Sequence, residues 1–340
     1  MLGYAVRRLL LAVPLLLVVS LVCFALTDLL PGDPTAARLG QHRSKEAVEA
    51  ARRDLGLDDA FVVRYGRFLS GATRFDFGDD WFKRGVSVGS EIRARFPATV
   101  ELTLVAMAVA VAVGLTVGAL GAAFPRRLVD GFGQVLALMG SSVPVFWLGL
   151  MAMLVFSVHL HWLPIPDWSP RAIAPGGRFS TRFLLSESLF RGDFAAVLEA
   201  LRNLALPALV LSTIPLAVIT RMTRSSMLEE LGRDYVRTAR AKGVPERSVV
   251  GRHALKNAFI PIVTVTGLQT GALLGGAVLT ETVFAWPGLG TYIVTGVREH
   301  NTPVVVAGVL LLSTVFVLVN LAVDVLYHVV DPRLRRGARP

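Results

Sequence analysis

The stretch from Gly232 to Asn257 reads GRDYVRTARAKGVPERSVVGRHALKN, a polar, strongly basic segment between long apolar runs. Gly243 and Pro245 punctuate its middle. Glycine is the usual residue just past a helix end, and proline is accepted at the first position of a new helix. The segment therefore reads as helix, tight turn, helix. In the first helix Arg233, Arg237 and Arg240 fall at i, i+4 and i+7, which places three cations on one face. Tyr235, Val236 and Ala239 lie away from that stripe. Such an element can enter a nucleic-acid groove, lie as a positive loop on lipid headgroups, or stand out from a membrane to dock into a soluble partner. Apolar runs tie both its ends to a bilayer, which argues against nucleic acid. Spacing alone does not separate the other two.

Composition supports the bilayer. The 340 residues are 53% hydrophobic, too apolar for a soluble protein of this size. The net charge of +10 is spread between apolar runs and not gathered in one block, which suits anionic lipid and topology better than nucleic acid. The single cysteine, Cys23, lies in an apolar run and excludes an intrachain disulfide.

Uncharged runs long enough to cross a bilayer fall at approximately Leu9–Thr27, Leu102–Phe124, Gly131–Val158, Asn203–Thr220, Ala258–Thr280 and Pro303–Val323. The fourth is the weakest, being short and broken by Pro207 and Pro215. Proline in a spanning helix predicts packing or a kink there. Arg7 and Arg8 ahead of the first run could mark a signal peptide. That run is long for one, and no small-x-small cleavage site precedes Asp28, so it reads as a retained helix. Short segments holding Arg7 and Arg8, Arg126 and Arg127, the cations from Arg221 to Lys256, and Arg333, Arg335, Arg336 and Arg339 fall on one side. The positive-inside pattern makes that side the cytoplasm, with both termini in it.

The region Pro31–Pro97 reads as an insertion on the other side, where long loops cross regardless of charge. Within it, Ser44 to Leu55 carries a Ser cap, acids in the first turn and bases near the end, the pattern of a surface helix. Phe75, Phe77, Trp81 and Phe82 interleave with Asp76, Asp79 and Asp80. An interfacial aromatic belt is the favoured reading, and contact with an external partner the other. A second outer loop, His159 to Arg202, carries Trp162, Trp168 and several Pro and Gly.

Chemistry is hard to find. His159 and His161 point apart at a spacing of two, with no Cys or acid near them before Asp167, so a metal site is disfavoured. Ser141 and Ser142 near Pro144 lack a Gly-x-Ser-x-Gly elbow and read as helix-packing residues. No Gly-x4-Gly-Lys-Ser/Thr pattern occurs, so the chain has no P-loop for ATP. Asn320 and Asp324, one turn apart in the last run, read as a structural pair over a proton relay. In Glu281-Thr-Val-Phe-Ala-Trp-Pro-Gly-Leu-Gly290 the Pro-Gly pair forces a turn, which reads as a re-entrant or surface-lying piece with Phe284 and Trp286 at the interface.

Tyr235-Val-Arg-Thr-Ala-Arg-Ala-Lys-Gly243, followed by Arg252-His-Ala-Leu-Lys-Asn257, resembles the coupling loop of binding-protein-dependent ABC importer permeases, most closely the dipeptide/oligopeptide branch. The general family motif is Glu-Ala-Ala, three residues, Gly, nine residues, Ile-x-Leu-Pro. Ala239, Gly243 and Leu255 keep it, whereas Arg237, Thr238, His253 and Lys256 depart from it and follow the peptide branch. Three further islands match in order: Leu29-Leu-Pro-Gly-Asp-Pro34, Glu281 to Gly290, and Val319 to Tyr327.

The resemblance implies an all-α fold with six transmembrane helices, the type I ABC importer permease fold. It would divide into a first helix with its insertion (1–97), a five-helix core carrying the coupling loop 221–257 (98–332), and a cytoplasmic tail (333–340). It implies a bacterial-type inner-membrane subunit, not an enzyme and without a cofactor of its own. Its expected partners are a related second permease, two cytoplasmic ATPases that bind the ATP, and an extracytoplasmic binding protein, besides membrane lipid. Coupling to the ATPases would rest on Arg233, Asp234, Tyr235, Arg237, Thr238, Ala239, Arg240, Ala241, Lys242 and Gly243. Two other classes stay open on the residues alone. A secondary transporter would need ion ligands in broken midplane helices, and an intramembrane hydrolase a convergent nucleophile and base.

Overall fold

The computed structural model describes residues 2–29, 35, 39, 44–83, 85–166 and 182–330. The exit after Leu29, Asp167 and Trp168 of the second outer loop, and the basic tail with Arg333, Arg335, Arg336 and Arg339 lie outside them.

In chain order the helices are α1 (Leu2–Leu29), α2 (Lys45–Asp54), α3 (Phe61–Ala72), α4 (Val88–Ala123), α5 (Leu128–Ser142), α6 (Val145–Ala152) and α7 (Leu184–Arg191). They continue with α8 (Phe194–Leu231), α9 (Asp234–Ala241), α10 (Leu255–Val283), α11 (Leu289–Arg298) and α12 (Thr302–Val330). A π-helical stretch, Met153–His159, prolongs α6, and another, Val249–Ala254, leads into α10. Among the described residues there is no β-strand, only an isolated bridge between Asp79 and Ser87.

Among the described residues five helices are long and apolar enough to cross a membrane, and α5 with the α6 extension, bent by 108° at Val143–Pro144, makes a sixth when the pair is counted as one span. The third run is therefore a broken span and not a straight one. Pro144 removes an N–H and disfavours helix in the residue before it, which accounts for the break.

The fourth run, weakest on sequence, becomes α8, the most buried of the spanning helices. It packs against α4, α5, α6, α7 and α10. Pro207 and Pro215 are buried inside it. A helix enclosed by protein needs no lipid-facing surface, so its composition understates its role. Close approach to α4 comes from Gly114 and Gly118; a Cβ at Gly118 would stand 2.7 Å from the Thr220 carbonyl oxygen. Across 38 residues α8 is about 57 Å long, well beyond the ~30 Å hydrocarbon layer.

α1 lies at the rim on α12. Arg8 pairs there with Asp324, which ties the last helix to the first. Asn320 donates to its own helix, at the Phe316 carbonyl, 2.9 Å away. Ser44 caps α2 by accepting from the Ala47 N–H, as its position predicts.

At the insertion end, the first turns of α4 bind two distant segments. Glu281, fully buried, accepts from Thr99 Oγ1 at 2.6 Å and from the Thr291 N–H at 3.1 Å. Thr99 Oγ1 accepts from the Leu289 N–H at 2.8 Å, and the Trp286 indole donates to the Ala98 carbonyl at 3.0 Å. Phe284 and Trp286 are thus buried core residues and not interfacial anchors. The Pro-Gly turn folds them inward, against α4 and α8. Glu101, also buried, accepts from the Ser186 N–H and hydroxyl at the start of α7.

The aromatic cluster is a packing element as well. Phe77 is buried and packs in one cluster with Leu289, Tyr292 and Val304, with Phe75 against it. Asp80, 5% exposed, accepts from Tyr292 Oη at 3.0 Å and Asn301 Nδ2 at 2.8 Å. Burial, with Asp80 alongside, pushes the Tyr292 phenol well above its usual value and keeps it a donor. The aromatics clamp the insertion onto α11 and α12 instead of forming a lipid belt.

Candidate functional site

At the opposite end, α8 stops at Gly232, with Met227 clustered against Ala122 of α4 and Ala258 of α10. Arg233 is the N-cap residue of α9, and Asp234 in the first turn suits the positive end of the helix dipole. Val236 is fully buried and seats the helix on the bundle. Tyr235 Oη donates to Glu230 Oε2 at 2.7 Å, and Glu230 also receives Arg233 at 3.0 Å. Burial raises the Tyr235 phenol above its usual value, so it remains protonated to hold Glu230.

The far end of α9 is closed by Gly243 in the left-handed conformation, φ +76°. Its N–H bonds to the Arg240 carbonyl, and that of Val244 to the Ala239 carbonyl. Arg240 forks onto Glu246 at 2.6 and 3.1 Å, across the turn. After Pro245 a single turn, Glu246–Ser248, and the π-helical stretch run straight into α10. The second helix of the sequence reading is thus the root of the fifth span and not a separate element. Val249 and Ala254 within it are fully buried.

The structure seats Tyr235 and Val236 against the bundle and leaves Arg233, Asp234, Arg237, Thr238, Arg240, Ala241, Lys242 and Gly243 exposed. Ala239 is half-buried. The three-arginine stripe is largely neutralised from within. Arg233 meets Glu229 and Glu230, and Arg240 meets Glu246. Among the described residues Arg237 pairs only with Asp234, at 3.5 Å, and it is 77% exposed. The acids that do this lie just outside the expected site. Glu229 and Glu230 belong to the end of α8 and Glu246 to the turn before α10, so the helical spacing of α9 did not point to them.

A second cluster ties α5 to α8 near the same end. Asp130, 2% exposed, accepts from both Nε and NH2 of Arg224 at 2.5 and 2.9 Å, and from the Arg126 N–H. It fixes the start of the third span on the fourth. His161 Nδ1 lies 3.1 Å from the Ser157 carbonyl, and Ser141 Oγ bonds to its own helix.

Residues 110–336 match the model of the binding-protein-dependent transport system inner membrane component, and residues 1–103 that of its N-terminal membrane component. This chain belongs to that family. Its members are transport components of the inner membrane and not enzymes, which removes the hydrolase and leaves no support for an ATPase-independent transporter. The six-span, all-α architecture is the type I ABC permease fold. Similarity to individual permeases runs the length of the chain. The dipeptide transport system permease protein DppB of Alkalihalophilus pseudofirmus is 41% identical over 336 residues, covering 98% of this chain and 100% of the relative. That of Escherichia coli is 43% identical, covering 98% and 99%. The glutathione transport system permease protein GsiC of Salmonella paratyphi A is 39% identical, covering 98% and 99%. A permease of this family works with partner subunits.

Proposed function

We propose that this chain forms half of the translocation pathway of an ATP-driven importer of di- and oligopeptides, paired with a related second permease. Two cytoplasmic ATPases bind the ATP, and an extracytoplasmic binding protein delivers the cargo. Both termini and α9 face the cytoplasm. α9, from Arg233 to Gly243, sits in a groove of an ATPase, and closure of the ATPases tilts it together with α8 and α10. The chain supplies the conduit and the lever, and needs no cofactor of its own.

The observation that carries this reading is a short polar helix that follows the 38-residue α8. Its seat is buried and paired, its outer face is exposed, and its exit is fixed by a left-handed glycine that leads into the next span. Peptide cargo is favoured by the full-length similarity to permeases named for dipeptide transport.

The test is reconstitution of the tagged chain with the subunits that co-purify with it. Dipeptide uptake into proteoliposomes is expected to need both ATP and the binding protein. Uptake driven by an ion gradient without ATP overturns the importer reading. ATP-dependent uptake of another cargo, with dipeptides excluded, overturns the cargo alone.

A further inference from the structure

The break in the third span has a polar mouth. α5 rises about 22 Å over its 15 residues after Arg126 and Arg127, so Ser142 ends inside the ~30 Å hydrocarbon layer. Pro144 has no N–H to offer the Gly140 carbonyl. Non-helical backbone at that depth is stable only against protein or water. One side of the break is against protein: Ala137 is buried, and a Cβ at Gly140 would stand 2.6 Å from the Thr213 carbonyl oxygen of α8. Ser141 and Ser142 are exposed on the other.

Arg221 of α8 reaches up to this mouth from the edge of the uncharged stretch. Its guanidinium lies 3.3 Å from Ser141 Oγ and 3.4 Å from the Ala137 carbonyl, both long contacts. The side chain is exposed, and no acid pairs with it among the described residues. Arg224, one turn on, is by contrast taken up by Asp130. A cation and two hydroxyls facing lipid at a helix break would be costly. Facing dry protein of this chain, the guanidinium would be a desolvated charge with no counter-ion among the described residues. Water on that side removes both penalties.

We propose that the broken third span opens onto the translocation pathway, with Ser141, Ser142 and Arg221 on its wall, and that Arg221 pairs in passing with the carboxylate of a peptide. This rests on the peptide-importer reading and assigns a subsite within it. The planar fork of a guanidinium matches a carboxylate in a way that few side chains do. Long contacts to Ser141 and Ala137 leave it free to turn, and a hydrated pair is weak enough to let cargo leave.

The experiment uses the assembled transporter in proteoliposomes, with Cys23→Ala as background. A membrane-impermeant sulfonated thiol reagent is expected to modify Ser142→Cys about tenfold or more faster than Leu11→Cys, because charged reagents avoid lipid. Leu11 on α1 is 61% exposed and serves as the lipid-facing control. Arg221→Gln is then expected to lower dipeptide uptake about tenfold and uptake of the C-terminal amide less than about twofold, with Arg221→Lys between wild type and Gln. Stimulation of ATP hydrolysis by the loaded binding protein is expected to persist. Comparing each variant's ratio of acid to amide cancels the binding protein's own preference. Equal modification of both cysteines overturns the pathway assignment. Equal loss of both cargoes overturns the carboxylate pairing. Lost stimulation of the ATPase makes Arg221 a packing residue and overturns the subsite, while leaving the importer reading intact.

Discussion

Gly243 has a φ of +76° and open space where a Cβ would stand. A side chain there meets no clash, so its cost is that of the backbone alone, about 1–2 kcal/mol for a residue with a Cβ. Gly243→Val is therefore expected to leave insertion and expression near normal while the turn into α10 leaves at a different angle. Uptake should collapse, and ATP hydrolysis should lose its stimulation by the loaded binding protein. Gly243→Asn, which tolerates the left-handed region, should retain more of both. Full stimulation in the Val variant would reduce Gly243 to a loop residue. Glu281 is the opposite case, with no exposure and every neighbour committed. Glu281→Ala strands the Thr291 N–H and the Thr99 hydroxyl in the core and is expected to cost about 2–4 kcal/mol. A lowered melting temperature of the detergent-solubilised chain would register it. An unchanged one would mean that water replaces the carboxyl. Gly243 was legible because a turn glycine announces itself. Glu281 was not, because its partners Thr99 and Thr291 are remote or unremarkable in sequence.

At the scale of the element, α9 is a helix whose cations mostly serve its own seat. Arg240 holds Glu246 across the turn, and both are substantially exposed, so the pair is worth about 0.2–1 kcal/mol. Arg240→Glu alone sets two acids against each other and should weaken ATPase association. The swap Arg240→Glu with Glu246→Arg is expected to restore it, because the turn is closed again. Co-purification of the ATPase with each variant is the measure; failure of the swap would place Arg240 in direct contact with the partner. Arg237→Glu leaves the seat untouched and should weaken association by itself. The face of α9 was legible from helical spacing, but its neutralisation was not, since the acids belong to α8 and to the turn before α10. The same limit applies to the spans. Run length found α8 and α10, yet burial made the weakest run the central helix. Likewise, Pro144 was visible without its 108° consequence. Hydropathy records how a stretch meets lipid and is silent on how helices meet each other.

At the scale of the whole molecule, two polar assemblies stand at opposite ends of one helix. α10 begins beside the seat of α9 and ends at Glu281, bound to α4 and α11 next to the clamp made by Phe77, Asp80 and Tyr292. Its 29 residues rise about 43 Å, more than the ~30 Å hydrocarbon layer, so the two ends emerge on different sides of the membrane. The basic residues flanking the spans favour the α9 end as cytoplasmic. Thr73 and Arg240 are exposed markers of the two ends. In a Cys23→Ala background, Arg240→Cys is expected to react with an impermeant thiol reagent only in inside-out vesicles, and Thr73→Cys only in right-side-out cells. The reverse pattern would invert the topology while keeping the fold. Reaction of both from one face would be incompatible with a membrane-crossing α10. It would undo the proposed lever, in which displacement of α9 is carried through the Gly243 turn and the fifth span to the outer junction at Glu281.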